Sequence, residues 1–227
     1  MYGKRVTIDI GRDILSGERC VSALARHSDH VDAEIRRLHI AAAPPGAVAL
    51  IAIGGYGRRH LCPFSDIDLL VLFGGAVEAA EEQFLRRLLH PLWDAGFMVG
   101  HQVRDVNELA ELEVDNPEFL LALTDARMVA GDTSLFERLR ASFDVPRTHA
   151  HVLGALRELI DARHAQFNAT LYQLEPDVKD APGGLRDIAA ARTIAALADP
   201  LLLARSPDVT RLADAEEFLL RLRSLVH

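Results

Sequence analysis

Two short stretches of this chain carry residue types that could do chemistry together. The first is Gly54-Gly55-Tyr56-Gly57-Arg58, which closes an apolar run; the second is Ser65-Asp66-Ile67-Asp68-Leu69, which opens another, eleven positions on from Gly55 to Asp66. Side chains of an extended strand alternate between faces, so Asp66 and Asp68 project from the same face, two residues apart. Two hard carboxylates so placed can hold one or two divalent ions, and beside a phosphate they suit Mg²⁺. Glycines lacking a Cβ let backbone N–H groups approach phosphate oxygens closely, and a helix starting there adds favourable partial charge. Arg58 offers a bidentate fork for the same oxygens. Either element alone says little, because a Gly-Gly turn is usually a loop and Asp-x-Asp is usually a solvated strand edge. Both aspartates entering an apolar strand without a cation would be costly, and that makes the combination informative.

The elements that must position these residues follow from patterning. Ala47 to Ile53 is a short apolar run rich in Val and Ile that stops at the glycines, as a buried strand feeding a tight turn does. Ile67 to Phe73 reads as its neighbour. Glu78 to Trp93 spaces Phe84, Leu85, Leu88, Leu89 and Leu92 along one helical side, and Gly96 opens Phe97 to Val103 as a third strand. Before them, Asp29 to Ala43 has helical periodicity and ends at Pro44-Pro45-Gly46. From Asn107 onward helical patterns dominate: Glu108 to Glu113, Pro117 to Val129, Ser134 to Ser142, His151 to Phe167, Ile188 to Ala198 and Ala213 to His227. The expected fold class is α+β, with a helical leader over 1–45, a sheet core over 46–106 and an all-helical part over 107–227. The last helical pattern stops without a glycine cap or polar tail, so a piece of something longer is expected. Trp93 and the phenylalanines at helical spacing are expected in the core.

Bulk properties exclude several classes. The 227 residues are 49% hydrophobic and 26% charged, the balance of a globular protein with a sizeable core. Lys and Arg total 25 against 33 Asp and Glu, a net charge of −8 that gives no footprint for nucleic-acid backbone binding. The longest apolar run falls far short of the roughly 20 residues that span a bilayer, so no membrane partner is expected. Two cysteines, Cys20 and Cys62, make no disulfide framework, and no apolar leader segment opens the chain, so the expected compartment is the cytoplasm.

The apolar strand, Gly-Gly and Asp-x-Asp order resembles the polymerase-β-like nucleotidyltransferases. A second string sharpens the likeness: Leu174-Glu175-Pro176-Asp177-Val178-Lys179, continuing through Pro182-Gly183-Gly184-Leu185-Arg186-Asp187-Ile188. With Val99-Gly100-His101-Gln102-Val103-Arg104 and Ala130-Gly131-Asp132, these segments resemble the bacterial PII uridylyltransferase/uridylyl-removing enzymes from about Ala47 to the last residue. The resemblance implies Mg²⁺-dependent transfer of UMP from UTP to a tyrosine of the PII signalling protein, with release of pyrophosphate. It implies metal binding and catalysis at Asp66 and Asp68 and a triphosphate turn at Gly54 and Gly55; Arg58, Ser65, Lys179 and Arg186 are the further nucleotide-binding candidates read from the residues themselves. A related nucleotidyltransferase with another nucleotide or acceptor would show the same turn and aspartates, as would a non-catalytic nucleotide-binding fragment.

The chain departs from the superfamily in one respect. The third strand usually brings a third carboxylate; here it has His101 in its middle and Asp105 only beyond its end, where a plain loop role is preferred for Asp105. His101 is a possible base, although a lone strand histidine is more often structural. Pro-Gly-Gly before an apolar helix is also a common turn-and-cap device, but Lys179, Arg186 and Asp187 around it suit contact with a nucleotide or acceptor. The family's uridylyl-removing module is marked by a His-Asp dipeptide, and none of the ten histidines here precedes Asp. That activity and the family's glutamine-sensing modules are therefore expected outside these residues.

Overall fold

Val48–Ala52 (β1) is buried at all five positions, which requires packed layers on both faces of the sheet it joins. A computed structural model describes residues 10–111, 117–143, 146–167, 177–198 and 208–226. In it β1 pairs antiparallel with Ile67–Phe73 (β2), Val48 opposite Phe73 and Ala52 opposite Leu69. Val99–Asp105 (β3) runs parallel to β2, with Asp68 opposite Gly100, and Arg127–Gly131 (β4) lies antiparallel on the far side of β1, so the order is β3-β2-β1-β4. The helices are Ile10–Leu15 (α1), Cys20–Ala42 (α2), Gly54–Gly57 (α3), Ala79–Asp94 (α4), Pro117–Thr124 (α5), Thr133–Phe143 (α6), Pro146–Gln166 (α7), Leu185–Ala198 (α8) and Asp208–Val226 (α9), with a 3-10 helix at Val106–Glu111.

Alternation along the strands sorts the core into two layers. Leu50, Ala52, Leu69, Val71 and Phe73 face Val31, Ile35 and Leu38 of α2 and Phe84, Leu88 and Leu92 of α4. Ala49, Ile51, Leu70 and Leu72 face Phe119, Leu120 and Leu123 of α5 and Leu135, Leu139 and Phe143 of α6. Asp68, two residues before Leu70, points to this second side, beyond the edge of the apolar layer. A third cluster joins Ile10 and Ile14 of α1, Cys20, Ala23 and Leu24 of α2, Cys62 and Leu220 of α9. It ties the C-terminal helix to the loop that precedes the aspartates. Both cysteines are buried and free. Among the described residues no helix is long and apolar enough to cross a membrane.

The mixed α/β class and the strand, strand, helix, strand order agree with the sequence expectation. Helix α4 begins where the sequence placed it, with Glu78 and Glu81 forming a reciprocal capping box. Three readings are corrected. The helix expected over Pro117 to Val129 ends at Thr124, and Arg127–Gly131 is a strand that lies beyond the division expected at 106; its five residues carry too little pattern to outweigh the preceding helix, and pairing with β1 decides them. Helix α2 begins at Cys20, nine residues before the periodic stretch, because Cys20, Ala23 and Leu24 bury against α1 and α9. Trp93 is 42% exposed and Phe218 60%, so neither is core; Trp93 lies beside the rings of His90 and His101.

Candidate active site

The glycine turn and the aspartates meet at one end of the β1–β2 pair. Gly54 takes a left-handed φ of 57°, and a Cβ built on it would stand 3.6 Å from Asp68 Oδ2. On the other side of the carboxylate, a Cβ at Gly100 would come within 3.1 Å of Asp68 Oδ1. Asp68 is thus seated between two bare backbones, half-buried, while Asp66 is exposed at the strand's entrance. Burial raises the Asp68 pKa above the usual carboxylate range, the Asp66 charge adds to the rise, and the Lys179 charge opposes it. A divalent cation would relieve both effects. Among the described residues no group of three or more His, Cys, Asp or Glu gathers to hold a metal, so these carboxylates would provide two ligands and leave the remainder to substrate phosphates and water, a pattern that Mg²⁺ accepts.

Behind the turn, an ion network fixes its backbone. Asp32 of α2 is 1% exposed; it accepts the Tyr56 hydroxyl at 2.6 Å, Arg127 Nη1 at 2.5 Å and Nη2 at 3.1 Å, and Arg36 Nη2 at 3.3 Å. Arg127 also donates to the carbonyls of Gly57 at 3.2 Å and Tyr56 at 3.3 Å. The turn is therefore tied by β4 to α2. At Gly57 an added Cβ would fall 2.1 Å from the Asp125 carbonyl oxygen, so glycine lets the turn lie against the end of α5. Gly55 differs: nothing comes closer to its missing Cβ than 3.9 Å, and the open space belongs to the cleft.

That cleft has a volume of about 1140 Å³, and Gly54, Gly55, Arg58, Ser65, Asp66, Asp68, Lys179 and Arg186 all line it. The structure places them differently from one another. Arg58 pairs with Asp125, whose carboxyl burial raises in pKa against the pull of that guanidinium. Beneath this pair lies a second one, Arg192 of α8 with Glu216 of α9, and His60 Nδ1 stands 3.4 Å from Glu216. The carboxylate would favour a charged ring, but burial and the charges of Arg58 and Arg192 outweigh it and lower the His60 pKa to about 4. Lys179 contributes its charge to the Asp68 environment, whereas Arg186 Nε binds Asp180 Oδ1 at 2.8 Å at the cleft's rim. Asp187 turns inward: it accepts the Gly183 N–H at 2.6 Å and contacts Arg163 and His164 of α7, so it holds the Pro-Gly-Gly turn instead of facing a ligand. Leu174, Glu175 and Pro176 lie outside the described residues.

Two other expectations resolve against the site. Asp105 pairs with Phe73 at the opposite end of the sheet, where its Oδ1 accepts the Asn107 backbone N–H at 2.8 Å, so it caps the 3-10 helix. His101 lies opposite Leu69 and shares its face, away from Asp68, so a base role is corrected to a contact with Trp93. On the aspartates' side of β3 the cleft residue is Gln102. Sequence reasoning missed Asp32, Arg127, Asp125, Glu216 and Arg223. Asp32, Glu216 and Arg223 sit in helices, Arg127 in a short strand and Asp125 in the turn before it, and no spacing along the chain marks any of them. Arg223 Nη2 donates to Ser65 Oγ at 3.2 Å across 158 positions of chain.

Residues 152–227 match the family described as GlnD PII-uridylyltransferase. Over 223 residues the chain is 37% identical to a bifunctional uridylyltransferase/uridylyl-removing enzyme of Thiobacillus denitrificans, covering 92% of this chain and 26% of that protein. A protein of the same description from Nitrosospira multiformis is 38% identical over 74% of this chain and 20% of its own length. One from Pseudomonas putida is 38% identical over 79% and 21%. The chain thus spans about a quarter of the length of these relatives.

Proposed function

This chain belongs to the PII-uridylyltransferase family, and from that premise we propose that its cleft transfers UMP from UTP to a tyrosine of the PII protein in the cytoplasm, with release of pyrophosphate. The observation that carries the reading is the seating of Asp68 between Gly54 and Gly100, with the Asp66 charge acting on it. In the transfer, the tyrosine oxygen forms a bond to the α-phosphorus, the bond from that phosphorus to the bridging oxygen breaks, and the electron pair leaves with pyrophosphate. The hydroxyl proton passes to water in the open cleft. No covalent enzyme intermediate is needed, so the protein's task is to position and neutralise. Mg²⁺ held by Asp66 and Asp68 would supply the positive charge that stabilises developing negative charge on the phosphates. The turn at Gly54 and Gly55 offers backbone N–H groups to the triphosphate, Ser65 and Lys179 border it, and Arg58 and Arg186 lie along the cleft wall.

The test is incubation of the purified chain with Mg²⁺, PII protein and each labelled nucleoside triphosphate in turn. Label on PII from UTP alone is the expected result. Label from another nucleotide moves the reading to a related nucleotidyltransferase, and no label from any, beside a full-length relative that labels PII, overturns it.

A further inference from the structure

The cations of the cleft can be sorted by what already neutralises them. Arg58 pairs with Asp125, Arg186 with Asp180 and Arg163 with Asp187. Two cations that line the cleft remain without a carboxylate partner among the described residues. One is Lys179, whose charge acts on Asp68; the other is Arg223, which donates to the uncharged hydroxyl of Ser65, adjacent to Asp66. Among the described residues no carboxylate pairs with Arg223. Its position is set from elsewhere: Leu220 is 3% exposed in the cluster that contains Cys62, Glu217 accepts the Val21 N–H at 3.1 Å at the start of α2, and Glu216 pairs with Arg192. Helix α9 is therefore anchored on three sides, and Arg223 is held at the cleft without a charge partner of its own. A guanidinium so held has donors ready for phosphate oxygens and little freedom left to lose on binding them.

We propose that Arg223 of α9, with Lys179, binds the polyphosphate of the nucleoside triphosphate beside Ser65, so that the C-terminal helix completes the nucleotide site. The proposal rests on the reading of the glycine turn and paired aspartates as a nucleoside triphosphate site. It also explains why Arg58, the cation nearest to the glycines in sequence, is committed to Asp125: its charge holds α3 against α5 while the ligand's charge is met from the helical half.

The experiment measures equilibrium binding of labelled UTP and labelled UMP, each with Mg²⁺, to the parent chain, Arg223→Ala and Arg223→Lys, with a melting curve for each. The expected result is a loss of at least tenfold in UTP affinity for Arg223→Ala, less than twofold for UMP, and partial recovery of UTP binding in Arg223→Lys. Should the alanine variant fail to fold, the lysine variant keeps the stem and the charge, and an intermediate UTP-selective loss still supports the contact. Unchanged UTP affinity in both variants overturns the proposal, and so does an equal loss for UTP and UMP, which marks a structural role. A parent chain that binds no nucleoside triphosphate overturns the site reading and this inference together, a result distinct from a parent that binds and a variant that binds equally.

Discussion

Asp68 occupies a place that is costly for a carboxylate unless a cation joins it, since burial and the neighbouring Asp66 both raise its pKa. Asp68→Asn and Asp66→Asn should each lower transfer at least ~10³-fold, because a lost metal ligand removes several kcal/mol of charge stabilisation at nearly constant volume. The melting temperature of Asp68→Asn should be unchanged or higher, as a half-buried charge is removed. Steady-state labelling beside thermal melts checks this, and rates within tenfold of the parent in both variants would sink the assignment. The glycines separate in the same way. Gly57→Ala places a Cβ 2.1 Å from a backbone oxygen and should cost about 3 kcal/mol or more in stability. Gly55→Val meets no such wall, so it should weaken UTP binding with little change in the urea midpoint. A large stability loss at Gly55, or intact UTP binding there, would show that this glycine serves only the fold.

At the level of elements, the Asp32 network decides how β4 and α2 hold the turn. Asp32→Ala leaves Arg127, whose side chain is 23% exposed, without its charge partner, and should cost about 3–5 kcal/mol in urea unfolding. Tyr56→Phe removes one hydrogen bond from a carboxylate that keeps two arginines, and about 1–2 kcal/mol is expected. A Tyr56→Phe loss as large as that of Asp32→Ala would mean that the hydroxyl, and not the ion pair, carries the network. The loop before α8 gives a second ordering. From sequence alone Arg186 is the stronger phosphate candidate, since it follows a glycine turn, but its pairing with Asp180 and the action of the Lys179 charge on Asp68 favour the opposite order. Lys179→Ala should reduce kcat/KM for UTP more than tenfold, and Arg186→Ala by less, at unchanged melting temperatures. The opposite ranking in steady-state kinetics would restore Arg186.

Across the whole molecule, α9 lines the cleft and makes stability depend on pH. His60 sits under Arg58 and Arg192 and beside Glu216, and its pKa falls from an ordinary 6.5 to about 4. Below pH 6.5 the unfolded chain binds a proton that the folded chain refuses, so stability is full above that value and falls as pH drops toward about 4. The span amounts to up to about 3 kcal/mol. Burial of Glu216 raises its pKa and acts in the opposite sense, so the informative comparison is with His60→Gln, which removes the imidazole's titration and keeps a polar side chain beside Glu216. Melts from pH 7 to pH 4 should fall less steeply for His60→Gln than for the parent; parallel curves would show that the imidazole is not held neutral.

The sequence by itself determined the glycine turn, the two aspartates, the strands on either side and the class of fold, because each of these is written in local chemistry: a run of buried residues, a break at glycine, an alternation that puts Asp66 and Asp68 on one side. It also brought Lys179 to the site through a motif. What only the tertiary structure decided were the partners. Asp105 caps a local helix and Asp187 clamps its own loop, while Arg58 answers to Asp125 and Arg127–Gly131 becomes a strand because of neighbours far away in the chain. A charged residue's role depends on which opposite charge folding brings against it, and spacing along the chain does not encode that distance. Arg223 shows this most plainly, since its place at the cleft follows from the packing of Leu220 and Glu217 on α1, α2 and the Cys62 loop.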